Sequence, residues 1–190
     1  MLMTGGFLIA GILFNMYYQY SYEKDYLSEF SDQGEALDKL ETGTDLAVLK
    51  TGDKSVYRYD QMGTHSYENS SMQTGTNSTS YYFSVASGDI TNFFNEVDLN
   101  TPWDYHYENL DSRTILDRLA AVKYFVVKAG EEEYLPYGYD TLAAEAEKKD
   151  RLYRAYECKN ALPIGYTYDS YIPEKKYAKM STVEKQQALL

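Results

Sequence analysis

The stretch Asp111-Ser112-Arg113-Thr114-Ile115-Leu116-Asp117-Arg118-Leu119-Ala120-Ala121-Val122-Lys123-Tyr124-Phe125-Val126-Val127-Lys128 decides how this chain is read. Asp111 or Ser112 is placed to cap a helix whose apolar stripe is Ile115, Leu116, Leu119 and Ala120. Val122 to Lys128 follows at once, a β-branched and aromatic run of the kind that forms a buried strand. Helix into strand with almost no linker is the second half of an αβ unit. It predicts an α+β fold, a mixed β-sheet with packed helices.

Working outward, Leu152 to Lys159 and Ile164 to Tyr168 read as two further strands, parted by Asn160-Ala161-Leu162-Pro163. Ala143 to Lys149 reads as a charged helical stretch or a surface loop. Ser181-Thr182-Val183-Glu184 opens a last helix with a capping-box pattern; it runs to Leu190 without a cap, as a fragment boundary would. Upstream, Asp89 caps a helix carrying Ile90, Phe93, Phe94 and Val97 on one face. Ser55 to Tyr59 alternates as a strand, and Tyr81 to Val85 reads as a short one. Met62 to Ser80 is a long loop rich in Gly, Ser, Thr and Asn, and long loops in compact domains tend to be functional. A short helix fits Ala36, Leu37 and Leu40. Beyond Thr42-Gly43-Thr44-Asp45, a helix through Leu46, Val48 and Leu49 competes with a hairpin turning at Thr51-Gly52-Asp53. The sheet is expected from strands near 55–59, 122–128, 152–159 and 164–168.

The first 18 residues, MLMTGGFLIAGILFNMYY, carry no charge. The run is short of the roughly 20 apolar residues a full span needs. It has neither the basic start nor the cleavage site of a signal peptide. Tyr17 and Tyr18 follow it, as where a helix emerges among headgroups. Residues 1–19 are read as the end of a transmembrane helix, with a buried core helix as the competing reading. Tyr22, Tyr26, Leu27 and Phe30 extend it as an amphipathic helix. Residues 20–190 are then an extracytoplasmic α+β domain, truncated at its C-terminus.

Charge narrows the function. Against 18 Lys and Arg stand 29 Asp and Glu, a formal net charge of −11. Phosphate-backbone binding needs a basic surface, so nucleic acid is excluded as a partner. Docking on anionic lipid through protein charge is excluded likewise. There are 22 tyrosines, which suit half-buried strands, sugar-facing surfaces and protein contacts. The lone Cys158 leaves no internal disulfide and no cysteine-rich zinc site. Outside the cytoplasm, that usage suits a Gram-positive bacterium.

Catalytic signatures are lacking. His65 and His106 sit in different loops without neighbours at ligand spacing, so no metal and no cofactor is expected. Gly63 and Gly75 belong to no phosphate-binding pattern. The acidic pairs Asp98 with Asp104 and Asp111 with Asp117 would need the fold to bring them into one cleft. Glu131-Glu132-Glu133 reads as solvated loop.

Several phrases are more distinctive. Asp111-Ser112-Arg113, then Leu116-Asp117-Arg118-Leu119 running into Ala121-Val122-Lys123-Tyr124-Phe125-Val126, resembles the helix-to-strand junction "LLGVKY(V/F)" of the bacterial YfhO-type membrane proteins. Asn160 to Tyr168 is similar to that family's "ALPLGFxY" stretch. Tyr57-Arg58-Tyr59, the run Asn77 to Ser84, and Lys185-Gln186-Gln187 before Leu189-Leu190 also resemble it. The likeness covers scattered blocks from about Tyr57 to the end. Ala120-Ala121 departs from it, standing where the family often has Leu-Gly.

The resemblance implies a polytopic bacterial cell-membrane protein with a GT-C-like core and a large extracytoplasmic domain. Such proteins are linked to glycosylating envelope polymers such as lipoteichoic acid from a lipid-phosphate sugar donor. Catalytic acids of that class lie in loops between early membrane helices, so none is carried over to this chain, and its partner is the membrane core of the same protein. The domain is expected to bind the acceptor glycopolymer or to support that core. A structural or interaction module with no ligand of its own is the alternative. For sugar contact the candidates are Asn77, Ser80, Tyr81, Tyr82, Trp103 and Tyr105, because tyrosine rings stack on sugar faces while amide and hydroxyl groups meet sugar hydroxyls.

Overall fold

The computed structural model describes residues 2–20, 33–61, 69–99 and 105–190. In chain order the elements are α1 (Leu2–Tyr20), α2 (Ala36–Leu40), α3 (Gly43–Leu49), β1 (Arg58–Gln61), α4 (Ser70–Thr74), β2 (Tyr81–Tyr82), α5 (Gly88–Glu96), β3 (His106–Tyr107), α6 (Thr114–Leu119), β4 (Val122–Lys128), a 3₁₀ turn (Glu132–Tyr134), β5 (Thr141–Lys148), β6 (Arg151–Glu157), α7 (Glu174–Tyr177) and α8 (Thr182–Ala188). The chain divides into two compact units, Met1–Lys39 and Leu40–Leu190.

In the first unit α1 is one uninterrupted helix with no acidic or basic residue in its end turns. Phe7, Leu8, Ile9, Leu13 and Phe14 are all more than half exposed. Among the described residues no helix is long and apolar enough to cross a membrane. The expected continuation through Tyr22, Tyr26, Leu27 and Phe30 lies outside the described residues.

The second unit is α+β, as its helix-to-strand junction predicts. Its mixed sheet has the order β1-β4-β6-β5. β1 runs parallel to β4, with Tyr59 opposite Tyr124, while β4–β6 and β6–β5 are antiparallel. β4 is the central strand because Val122, Tyr124, Phe125, Val126 and Val127 are all buried, a near-continuous apolar run that needs cover on both faces. One face packs under α3: Ala47 and Val48 meet Tyr59, Tyr124, Val126, Ala146 and Ala155. The other packs Phe125 and Val127 against Val97, Leu99, Leu110, Leu116, Tyr139 and Cys158. Burying one such phenylalanine contributes about 1.5–3 kcal/mol.

The 42–53 ambiguity resolves as a helix. Thr42 Oγ1 accepts the Asp45 N–H at 3.1 Å, and Asp45 Oδ2 accepts the Thr42 N–H at 3.4 Å, a reciprocal capping box. A helix rather than a hairpin also lets Gly43 lie against the Tyr153 ring, where a Cβ would collide.

Five expectations need correction. The strand expected at 55–59 begins later, at Arg58, because Ser55 turns back onto the Asp53 carboxylate at 2.8 Å. Ala143 to Lys149 is neither helix nor loop: Thr141–Lys148 is an edge strand in which Leu142, Ala143, Glu145 and Glu147 are exposed and Ala146 is buried, so its charges mark a half-solvated strand. Ile164 to Tyr168 forms no strand; it crosses the surface, with the Tyr166 hydroxyl donating to Leu119 O at 3.3 Å and that of Tyr168 to Leu189 O at 2.6 Å. Neither Asp111 nor Ser112 caps α6. Both have left-handed φ, 54° and 52°, so they make a turn and Arg113 takes the N-cap position. The cap of α5 is Ser87, two residues before the Asp89 expected, and its Oγ accepts the Asp89 N–H. The capping box at Ser181 and Glu184 is present as expected, opening α8.

Candidate ligand cleft

β2 and β3, joined through α5, form a two-stranded antiparallel ribbon with Tyr81 opposite Tyr107 and Tyr82 opposite His106. Side chains alternate across a strand, so the ribbon has two faces of different character. Tyr81 packs on Tyr107 at 4.6 Å between ring centroids, and Phe94 of α5 meets Tyr107 edge-on at 4.9 Å. This inward face borders a cleft of about 340 Å³. Its floor and walls are Ile90, Phe93 and Phe94 of α5, Leu116 and Leu119 of α6, and Leu110. Its polar groups are Arg58, Ser78, Thr79, Tyr81, Tyr166 and Tyr168.

Local bonding explains why these side chains meet. The segment 77–79 lies along β1: the Tyr59 N–H donates to Asn77 O at 2.9 Å, and the Thr79 N–H to Tyr59 O at 3.0 Å. Asn77 Nδ2 adds a bond to Tyr57 O at 3.1 Å. This extra pairing beside β1 brings Ser78 and Thr79 next to Arg58. Arg58 Nη1 donates to Ala120 O at 2.8 Å, which anchors the guanidinium at the α6 end of the cleft. Burial pushes the Tyr81 phenol up, with the Tyr107 phenol adding to the shift and Arg58 opposing it. The Tyr166 phenol is pushed up to about 12, mainly by burial, then by Tyr168.

Behind the Thr79 wall lie two acids: Asp60, which belongs to neither acidic pair read from the sequence, and Asp117, which the sequence paired with Asp111. Asp60 and Asp117 are both fully buried. Asp60 is well served: Thr79 Oγ1 donates to Oδ1 at 2.8 Å, the Gln61 N–H to Oδ1 at 2.7 Å and the Leu110 N–H to Oδ2 at 3.0 Å. Asp117 is not, for neither of its carboxyl oxygens finds a well-formed hydrogen bond among the described residues. Burial holds the Asp117 carboxyl far above the ordinary range, and repulsion from Asp60 adds to it. Asp60 is raised as well by burial, against its backbone and Thr79 donors. Both carboxyls are therefore held toward their protonated forms, Asp117 the more strongly. Being sealed from solvent, the pair buttresses the cleft wall and cannot touch a ligand.

The six candidates separate in space. Of the five candidates among the described residues, Tyr81 alone borders the cleft. Asn77 and Ser80 shape its backbone: Ser80 is buried and its N–H donates to Ser78 Oγ at 3.0 Å. Tyr82 and Tyr105 lie outside the cleft lining, 44% and 39% exposed, with ring centroids 5.6 Å apart. Trp103 lies outside the described residues, as does His65. His106 is buried in β3. No group of three or more potential metal ligands occurs among the described residues. Glu132, read as solvated loop, instead pairs with Arg154, which holds its carboxyl below the ordinary range. Sequence reasoning missed Arg58, Tyr166 and Tyr168 as cleft residues. The signal for Arg58 was present: a lone cation between two tyrosines, Tyr57 and Tyr59.

The sequence profile of the family described as "Bacterial membrane protein YfhO" matches residues 2–190. The chain belongs to the YfhO family. No curated protein and no solved structure matches it. Family membership gives Ala121 a physical meaning. It follows α6 with φ +60°, its N–H donating to Arg118 O, in the left-handed position that ends a helix and favours glycine. The Leu-Gly that often stands here in YfhO-type sequences suits that backbone; Ala121 adopts it with a Cβ.

Proposed function

We propose that this YfhO-family chain forms an extracytoplasmic domain of a polytopic, GT-C-like membrane glycosyltransferase of a Gram-positive envelope, with α1 as the membrane-proximal end of a spanning helix. In this reading the domain presents the acceptor, a glycopolymer such as lipoteichoic acid, and the membrane core of the same protein carries out the transfer. The observation that carries it is the cleft, where Tyr81, Tyr166 and Tyr168 surround an apolar floor with the Ser78 hydroxyl among them. Aromatic faces with a few convergent polar groups are what a sugar ring requires. The uncharged, exposed surface of α1 supports the membrane assignment, since such a surface is costly in water.

The test is an NMR titration of the full chain in a polyoxyethylene detergent with lipoteichoic acid fragments and simple sugars. Saturable shifts at Tyr81, Tyr166 and Tyr168 are expected. Silence at millimolar ligand would transfer the assignment to an interaction module supporting the membrane core. One observation favours that second reading: Tyr82, Phe83, Val85 and Tyr105 are all exposed at and next to β2 and β3.

A further inference from the structure

The donors left in the cleft narrow the ligand further. Of its lining residues none is acidic, in a chain with 29 Asp and Glu. Arg58 is the one cation there, half-buried, and only its Nη1 is engaged, by a neutral carbonyl. Several other cations of the unit are paired with acids, although Arg118, outside the cleft, also meets only a carbonyl, Asn160 O at 2.9 Å. Arg113 pairs with Asp111, Lys123 with Asp53 and Glu157, Lys148 with Glu41, Arg154 with Glu132 and Glu145, and Lys185 with Glu96. The Tyr81 hydroxyl, beside Arg58, likewise has no hydrogen-bond partner among the described residues. The acid closest to this wall, Asp60, is already bound by Thr79, Gln61 and Leu110. A guanidinium shielded from carboxylates in an acidic chain, with a phenol donor at its side, is matched by an anion.

We propose that the cleft takes an anionic sugar: a ring stacked on the tyrosines whose carboxylate or phosphate meets Arg58 and the Tyr81 hydroxyl. This rests on the sugar-binding reading above and adds the charge and the two residues that recognise it. Both free edges of the guanidinium and the phenol donate, so the anion is held by charge-assisted bonds inside a partly dry site, where they are stronger than in bulk water. It also accounts for how a chain of net charge −11 can hold an anionic partner, through one local exception to its surface charge.

The full chain in polyoxyethylene detergent is titrated with glucuronate, glucose 1-phosphate, methyl glucoside and inorganic phosphate, read by tyrosine-ring NMR shifts. The two anionic sugars are expected to bind at least tenfold more tightly than the neutral glucoside, and whichever is tighter names the anion. Arg58→Gln should abolish that advantage, so that the anionic sugars bind no more tightly than the glucoside to the same variant. Tyr81→Phe, which keeps the ring, should reduce the advantage several-fold. Equal binding of glucoside and anionic sugars would overturn the anion assignment while the sugar cleft stood. Inorganic phosphate binding as tightly as glucose 1-phosphate would reduce the site to a simple anion hole and overturn the proposal. No binding by any of the four would remove both readings.

Discussion

The two faces of the sheet handle buried charge in opposite ways. Under α3, Asp45 is fully buried and every lone pair has work: Tyr59 Oη donates at 2.5 Å, Thr76 Oγ1 at 3.0 Å and Thr42 Oγ1 at 2.7 Å. That face holds a helix cap, a strand tyrosine and a loop threonine in one closed network. Beneath the cleft, Asp117 is as deeply buried and lacks such donors, and its neighbour is another acid. A carboxylate surrounded by donors ties elements together, whereas one facing another acid survives by keeping its proton. The cleft side is thus the face on which stability is given up, as is common where a protein keeps a site.

The sharpest way to break the contrast is Asp45→Ala. It strands the Tyr59 hydroxyl in the core and removes the α3 capping box, so a loss of about 3–5 kcal/mol is expected in urea unfolding. A loss under 1 kcal/mol would show that the network is ornamental. Gly43→Ala tests the tightness of the same face: its new methyl would enter the Tyr153 ring, and a cost of about 1–3 kcal/mol is expected from the thermal midpoint.

On the cleft side the expected sign reverses. Because the Asp117 pKa is raised above its ordinary 3.8, its contribution is fully present below that value and is lost as pH rises through the raised value. Asp117→Asn, neutral at every pH and able to donate to Asp60, should flatten that decline and stabilise the chain at pH 7 by about 1–2 kcal/mol. A variant less stable than the parent at pH 7 would mean that the pair is held by donors after all. The smallest effect is expected from Ala121→Gly, which relieves a left-handed alanine after α6 and should gain about 1 kcal/mol. An unchanged midpoint would place the cost of the missing glycine elsewhere.

Regular, local features were legible in advance. The α6–β4 junction, the helix through Phe93 and Phe94, the cap at Ser181 and the strand ending in Glu157 follow from periodicity and capping chemistry within a dozen residues. Thr141–Lys148 misled because Glu145, Glu147 and Lys148 hide a half-solvated edge strand whose only deeply buried side chain is Ala146. Ile164 to Tyr168 misled in the other direction, since its tyrosines alternate like a strand yet serve the cleft rim. Among the candidate residues, Tyr81 and Tyr82 were treated alike, although adjacent strand positions face opposite ways and only pairing with β3 says which faces inward.

By itself the sequence determined the α+β class, the central buried strand, the acidic character and the family, because each is written in local pattern or composition. Only the tertiary structure decided that Arg58, Tyr81 and Tyr168 share a cleft, and that Asp60 and Asp117 are buried close enough to repel each other. Those residues are separated by up to 110 positions, from Arg58 to Tyr168. What joins them is the parallel pairing of β1 with β4 and the docking of 77–79 on β1, contacts whose loop closure leaves no trace in any short window of sequence.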